Sequence, residues 1–534
     1  MTDTAPSTPG PPAGAPGGAA GAEQHTRPDG RVELAAGVVP ADSRYTNADL
    51  HPVPIAKRDW TTYNFAALWI GMAVNIPSWT LASGLVSLGM DWKQAVLTIS
   101  LANVIVLFPM LLTGHAGPKY GIPFPVLARA SFGVAGANLP ALLRGLVACA
   151  WFGIQTWIGG QSIYFLAGKV LDGAGWWVDS ADVFGYPATQ WLSFLAFFLI
   201  EIAVILRGME AVRRLENWAA PLMLVGALAL LIWIADKAGG FGPLLDQPSE
   251  LGWGADFWPV FFPALMGMIG FWSTLSLNIP DFTRFGAGQR AQVWGQSLGL
   301  PTTMAAFALL SVLVTSGSQA VYGEPVWDPS ELAARMDSTV GVLFALLIVL
   351  MATLSTNIAA NLVSPAYDLS NLAPRLISFR TGALLACTIG VLIFPWKLIE
   401  NPDVYIFTWL GTVAGLLGTV AGILIADYWL LRRTHLHLAD LYRPHGRYWY
   451  DAGWNWRAVA AFAVGGVLAV GGSYSKQGKG PFPADGVIPF LQPLADYGWA
   501  VGLGGSMLVY AVLMTAPFTA PRQGTEPALP ARGR

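Results

Sequence analysis

Three segments of this chain combine residue types that could recognise a small molecule within apolar surroundings. The first reads CAWFGIQTWIGGQ. Trp151 and Gln155 are four apart and share a helix face. An indole stacks on flat rings, and a primary amide both donates and accepts. The pair suits a planar heterocycle with an amide edge; the competing reading is that Trp packs and Gln binds a neighbouring helix. The second segment reads LMATLSTNIAANLVSPAY. Thr353, Thr356, Asn357, Asn361 and Ser364 follow three- and four-residue spacings and form a polar stripe. The stripe is either hydrogen-bonding glue between helices or a source of neutral oxygens for a hard cation. The third signal is the tripeptide Asn-Ile-Pro, which begins at Asn75 and again at Asn278, each time six residues after a Trp, Trp69 or Trp272. Proline removes a backbone donor and clashes with the preceding turn. In lipid such a break survives only inside protein or against a cavity. One break would be a kink, but paired breaks in corresponding helices point to a transporter's binding site.

The rest of the sequence must place these segments in a membrane. Of 534 residues, 54% are hydrophobic and 12% charged, and the mean hydropathy is +0.50. A soluble domain carries about 25% charged residues. This composition excludes a soluble enzyme, a disordered protein and a nucleic-acid-binding protein. Apolar runs near the roughly 20 residues a spanning helix needs recur at 65–88, 94–113, 140–166, 191–206, 219–234 and 260–279. They continue at 298–316, 342–362, 381–394, 406–431, 458–472 and 499–515. These predict an all-α polytopic membrane protein of about twelve transmembrane helices, with breaks in the first and sixth. Lys and Arg gather in the even-numbered connections, which places those loops and both termini in the cytoplasm of a multi-pass inner-membrane protein. The Pro-, Gly- and Ala-rich start predicts a disordered tail over 1–45, and 519–534 predicts a second.

The remaining chemistry is sparse. Cys149 and Cys387 lie in apolar runs and suggest neither a disulfide nor a metal site. His435 and His437 lack flanking ligands. Arg144 and Glu201 fall inside expected spans, where ionisable groups are functional candidates. Both stand toward the cytoplasmic side, so snorkelling or an ion pair also accounts for them, and neither is assigned to the core site. No catalytic constellation is present, and no segment offers a receptor's signalling domain.

Longer motifs carry a family resemblance: NADLHPVP, GIPFPVLARASFG, WFGIQTWIGG, STNIAANLVSPAYDLSNLAPR and DLYRPHGRYWYDAGWNW. Over about 47–456 the chain resembles the nucleobase:cation symporters, which include hydantoin, allantoin, uracil and cytosine permeases. The resemblance implies two inverted repeats of five helices, over 46–240 and 241–435. A cytoplasmic loop and two appended helices would occupy 436–518. It implies alternating access and cation-coupled uptake of a neutral planar heterocycle, allantoin or uracil foremost, with hydantoin, cytosine or thiamine as alternatives. By the same resemblance, Trp151, Gln155, Trp272 and Asn361 hold substrate. Sodium is bound by main-chain carbonyls of Gly71, Val74 and Ala352 and the hydroxyls of Ser355 and Thr356. A proton is the alternative coupling ion, and no organic cofactor is implied. Two departures bear on specificity. Asn75 stands where hydantoin permease has Gln, and Phe271 replaces a Gly beside the ligand.

Overall fold

Away from water, a backbone must bond to itself, and an apolar run does so most simply as a helix. The computed structural model describes residues 23–39, 44–171, 174–206, 209–401, 403–475 and 480–515. Short turns aside, its helices are α1 (Thr62–Ala73), α2 (Ile76–Ser87), α3 (Trp92–Gly114), α4 (Asn138–Val170) and α5 (Ala188–Leu206). There follow α6 (Met209–Lys237), α7 (Trp258–Asn278), α8 (Gln289–Tyr322), α9 (Thr339–Asn361), α10 (Val363–Leu372) and α11 (Phe379–Leu392). The last three are α12 (Asp403–Leu431), α13 (Trp456–Val470) and α14 (Gly498–Thr515). Helix α12 opens and closes with π-helical turns, over Asp403–Leu410 and Ala426–Leu431.

Among the described residues, eight helices are long and apolar enough to cross a bilayer, or nine if α1 and α2 form one span. Each of the twelve expected runs overlaps a helix or, for the first, the pair α1 and α2. However, α11 and α13 have only 14 and 15 residues, and α6 carries charges in its first half. The break expected in the first span is formed, but the one expected at the second Asn-Ile-Pro is not. α1 and α2 meet at 59°. α7 instead passes through Ile279, which keeps helical angles (φ −52°, ψ −27°), into a short helix at Pro280–Thr283.

Helix α4 lies at the centre of one group, packed on α5, α9 and α11. α1 packs on α8, and α7 packs between α3 and α12. α12, α13 and α14 pack together at the side. Close approach of α4 to α11 depends on two glycines. A Cβ on Gly390 would stand 2.5 Å from the Cys149 carbonyl oxygen, and one on Gly153 would meet the Gly390 carbonyl. Overpacking of this kind costs about 1–3 kcal/mol. Gly390→Val should therefore lower the thermal midpoint of the detergent-purified protein, whereas the same change at the open Gly504 should not.

One expectation needs correction. The segment assigned to a disordered tail over 1–45 contains a hairpin, Gln24–Thr26 paired antiparallel with Val32–Leu34. Val32 is buried. Gln24 Nε2 donates to the Leu436 carbonyl at 3.2 Å, and its Oε1 accepts from the Leu438 N–H at 2.8 Å. The buried Arg58 guanidinium donates to the carbonyls of Val32, Val53, Pro118, Lys119 and Tyr120. Composition marked the tail as polar and Pro-rich, but the partners that order its last part are distant in sequence. Residues 1–22 and 519–534 lie outside the described residues.

Candidate functional site

The break between α1 and α2 is built by Asn75. Pro77 has no N–H for the Ala73 carbonyl, so the helical ladder must stop. Asn75 caps the new helix, its Oδ1 accepting the Ser78 N–H at 2.7 Å. Its own N–H turns back to the Ala73 carbonyl at 3.1 Å, and its Nδ2 donates to the Met72 carbonyl. The carbonyls of Gly71 and Val74 thereby lose the donors that a continuous helix would supply, the N–H groups of Asn75 and Ser78. Val74 is buried and Gly71 exposed. Asn75 lines a cavity, but the backbone uses both ends of its amide. The structure therefore gives Asn75 the role of holding the break, while its amide keeps one hydrogen and one lone pair for the cavity it lines.

The cavity lies where α1, α2, α4, α7 and α9 converge. Trp151, Gln155, Phe271, Trp272, Thr356 and Asn361 all line it. Every expected substrate residue is thus brought to one place. The two indoles do not face each other directly. Phe271 stands edge-on to both, its ring 5.1 Å from Trp151 and 4.8 Å from Trp272. Trp272 also meets Trp69 edge-to-face at 5.1 Å, so the two tryptophans that precede the Asn-Ile-Pro motifs touch.

Polar atoms in this wall lack partners. Gln155 Oε1, Trp272 Nε1 and Thr274 Oγ1 are buried with no hydrogen bond. Asn361 Nδ2 donates to Asn357 Oδ1 at 3.0 Å, which turns its own Oδ1 away from that contact. An unsatisfied buried donor or acceptor costs about 1–3 kcal/mol, so such a cluster favours a ligand with complementary groups. The stripe on α9 divides. Thr356 and Asn361 face the cavity, Asn357 turns to α4 and α5, and Ser364 beyond the helix accepts from Asn278 Nδ2 at 2.7 Å. Ala352 and Ser355 are buried in α9, which packs on α1.

Three residues join the site beyond those assigned to it from the sequence, one of them, Arg144, being a candidate that the sequence reading weighs and leaves out. Arg144 lines the cavity and pairs with Asp368 of α10 at 3.1 Å, both side chains almost wholly buried. It does not snorkel; its ion pair lies inside the protein. Tyr405 in the first π-turn of α12 packs on Trp151 and donates to the Pro77 carbonyl at 3.3 Å, joining α12 to the break. Thr274 joins the wall one turn from Phe271. Among the described residues no group of His, Cys, Asp and Glu could hold a metal ion.

A bent first span facing a polar helix across an aromatic cavity fits a polytopic membrane transporter, although only one of the two expected breaks is formed. The family whose description is permease for cytosine/purines, uracil, thiamine, allantoin matches residues 52–502. The allantoin permease of Bacillus subtilis (strain 168) is 41% identical over 473 residues, 88% of this chain and 94% of that protein. The purine-uracil permease of Arabidopsis thaliana is also 41% identical, over 82% of this chain and 72% of that one. Among solved structures, inward-facing Mhp1 superposes with a TM-score of 0.71 at 26% identity, covering 89% of this chain and 94% of Mhp1. Mhp1 is a nucleobase-cation-symport-1 transporter, also solved closed around bromovinylhydantoin. The chain belongs to this family of permeases and is a transporter, not an enzyme.

Proposed function

We propose that this protein takes up a neutral planar nucleobase or cyclic ureide, allantoin or uracil foremost, by cation-coupled symport with sodium as the coupling ion. The observation that carries the reading is the match between the unpartnered wall atoms and a cyclic amide. Such a ring offers an N–H to Gln155 Oε1 or Asn361 Oδ1 and a carbonyl to Trp272 Nε1. The one charged side chain in the wall, Arg144, is paired with Asp368, which suits an uncharged ligand. Relatives at 41% identity named for allantoin and for purine and uracil support the substrate class.

The sodium reading rests on the break. In it, the carbonyls of Gly71 and Val74 join the Ala352 carbonyl and the Ser355 and Thr356 hydroxyls around the ion, so that sodium ties α1 to α9. Binding then favours whichever conformation brings these helices together, by its differential affinity for the two states. Sodium and substrate tighten each other by linkage. The placement of both termini in the cytoplasm of an inner membrane, and the two repeats over 46–240 and 241–435, belong to the same proposal.

Uptake of labelled allantoin, uracil and hydantoin into proteoliposomes tests it. Allantoin or uracil should accumulate under an inward sodium gradient and fall by about tenfold or more when choline replaces sodium, within the usual range of coupling energies. Accumulation that follows a pH gradient and ignores sodium would overturn the ion assignment. Accumulation of hydantoin alone would overturn the substrate.

A further inference from the structure

We propose that Glu201, on α5, is a positioning residue that fixes the direction of the Asn361 amide and so makes the cavity require an N–H on the facing edge of the substrate. The inference rests on the substrate site proposed above and deepens it.

Glu201 is wholly buried. Asn357 Nδ2 lies 2.6 Å from its Oε1, and Thr156 Oγ1 lies 2.8 Å from its Oε2. No basic side chain pairs with it among the described residues, in contrast to Asp368 beside Arg144. An isolated buried carboxylate is costly, and such groups persist as neutral acids held by hydrogen bonds. The wiring here suits a neutral acid. Thr156 Oγ1 is also 2.8 Å from the Phe152 carbonyl, and a hydroxyl has a single proton to give. With that proton donated to Phe152, the carboxyl O–H of Glu201 donates to Thr156 Oγ1, and Oε1 remains to accept from Asn357.

This arrangement sets two amides in sequence. Asn357 Nδ2 has two hydrogens, and its two nearest acceptors are Glu201 Oε1 at 2.6 Å and the Phe152 carbonyl at 3.0 Å, with Thr156 Oγ1 farther at 3.3 Å. Held at both points, the amide cannot turn over without directing its oxygen at two other oxygens. Asn357 Oδ1 is therefore the atom offered to Asn361, and it accepts from Asn361 Nδ2 at 3.0 Å. The acceptor that Asn361 offers the cavity is Oδ1, beside the second hydrogen of its Nδ2. A substrate must meet it with an N–H. A methyl on that nitrogen would both collide with the acceptor and leave it unpaired.

Three changes separate this role from mere support of the fold. Glu201→Gln keeps a carbonyl for Asn357 and a donor for Thr156. Glu201→Met leaves Asn357 pivoting on one bond. Asn357→Leu cuts the connection at its middle, and serves if the Met variant does not fold. The readout is the ratio of inhibition constants for uracil, hydantoin and allantoin over their N-methylated derivatives, which does not depend on how much folded protein is present. Wild type and Glu201→Gln should discriminate alike. In Glu201→Met and Asn357→Leu the discrimination should fall by about tenfold or more, the size of one lost buried hydrogen bond. The inference is overturned if wild type accepts the methylated rings as readily as the parents, if Glu201→Gln loses as much as Glu201→Met, or if the folded Met and Leu variants discriminate as wild type does. If wild type binds none of the three parent rings, the substrate reading itself is what fails.

Discussion

Replacing Trp151 with alanine should lower uptake by about 100-fold or more, with Trp151→Phe keeping a measurable fraction. Loss of a buried indole removes a large contact area, and Trp→Ala in a packed interior costs about 3–5 kcal/mol. Part of that loss would fall on a bound ring and part on Phe271, Tyr405 and Trp409, which pack on Trp151. The phenylalanine variant separates the two, because it keeps a ring face for the ligand and fills much of the space. Initial rates of uptake, normalised to protein in the membrane, decide the matter. Wild-type rates in the alanine variant would remove Trp151 from the substrate site.

The second large effect should come from Arg144→Met. Removing one partner of a buried ion pair leaves the other charge uncompensated, at a cost of about 3–5 kcal/mol. Asp368 would be stranded near a second buried carboxylate, Asp281, which accepts the Phe124 N–H at 2.8 Å. Replacing both partners with apolar residues is often close to neutral. The Arg144→Met/Asp368→Leu double variant should therefore regain most of the thermal midpoint lost by the single one. Equal midpoints for single and double variants in detergent would mean that the pair is not coupled as its geometry indicates.

What could be read in advance was local. Asn-Ile-Pro predicts a break because proline's missing N–H acts within one turn, and the 59° bend at Asn75 follows, whereas the same tripeptide at Asn278 leaves Ile279 with helical angles. Trp151 and Gln155 share a face because they are four apart, and both reach the cavity. What could not be read depends on partners far along the chain. Arg144 and Asp368 are 224 positions apart, so the sequence leaves snorkelling and an ion pair both open for Arg144 and cannot name the partner. Asn75 stands in the sequence as a departure that bears on specificity, and only the folded backbone shows that its amide also caps the break. Phe271 was expected to alter the pocket, but its position edge-on between two indoles required the packing of α7 against α4. The hairpin at the start escaped notice for the same reason, since its anchors lie some 400 positions later.

That hairpin changes how the chain can be shortened. Its strands share hydrogen bonds with the loop at Leu436–Leu438, and Arg443 reaches back to Glu23 at 2.6 Å. Arg58, buried among five carbonyls, takes one of them from Val32. Trimming at residue 22 leaves this belt closed. Trimming at residue 45, where composition alone would place the cut, opens it. The guanidinium of Arg58 would then have to find water or another oxygen, and the apolar surface beneath Val32 would be laid bare. An ordered segment of about a dozen residues thus joins the chain ahead of α1 to the loop that follows α12 like a buckle.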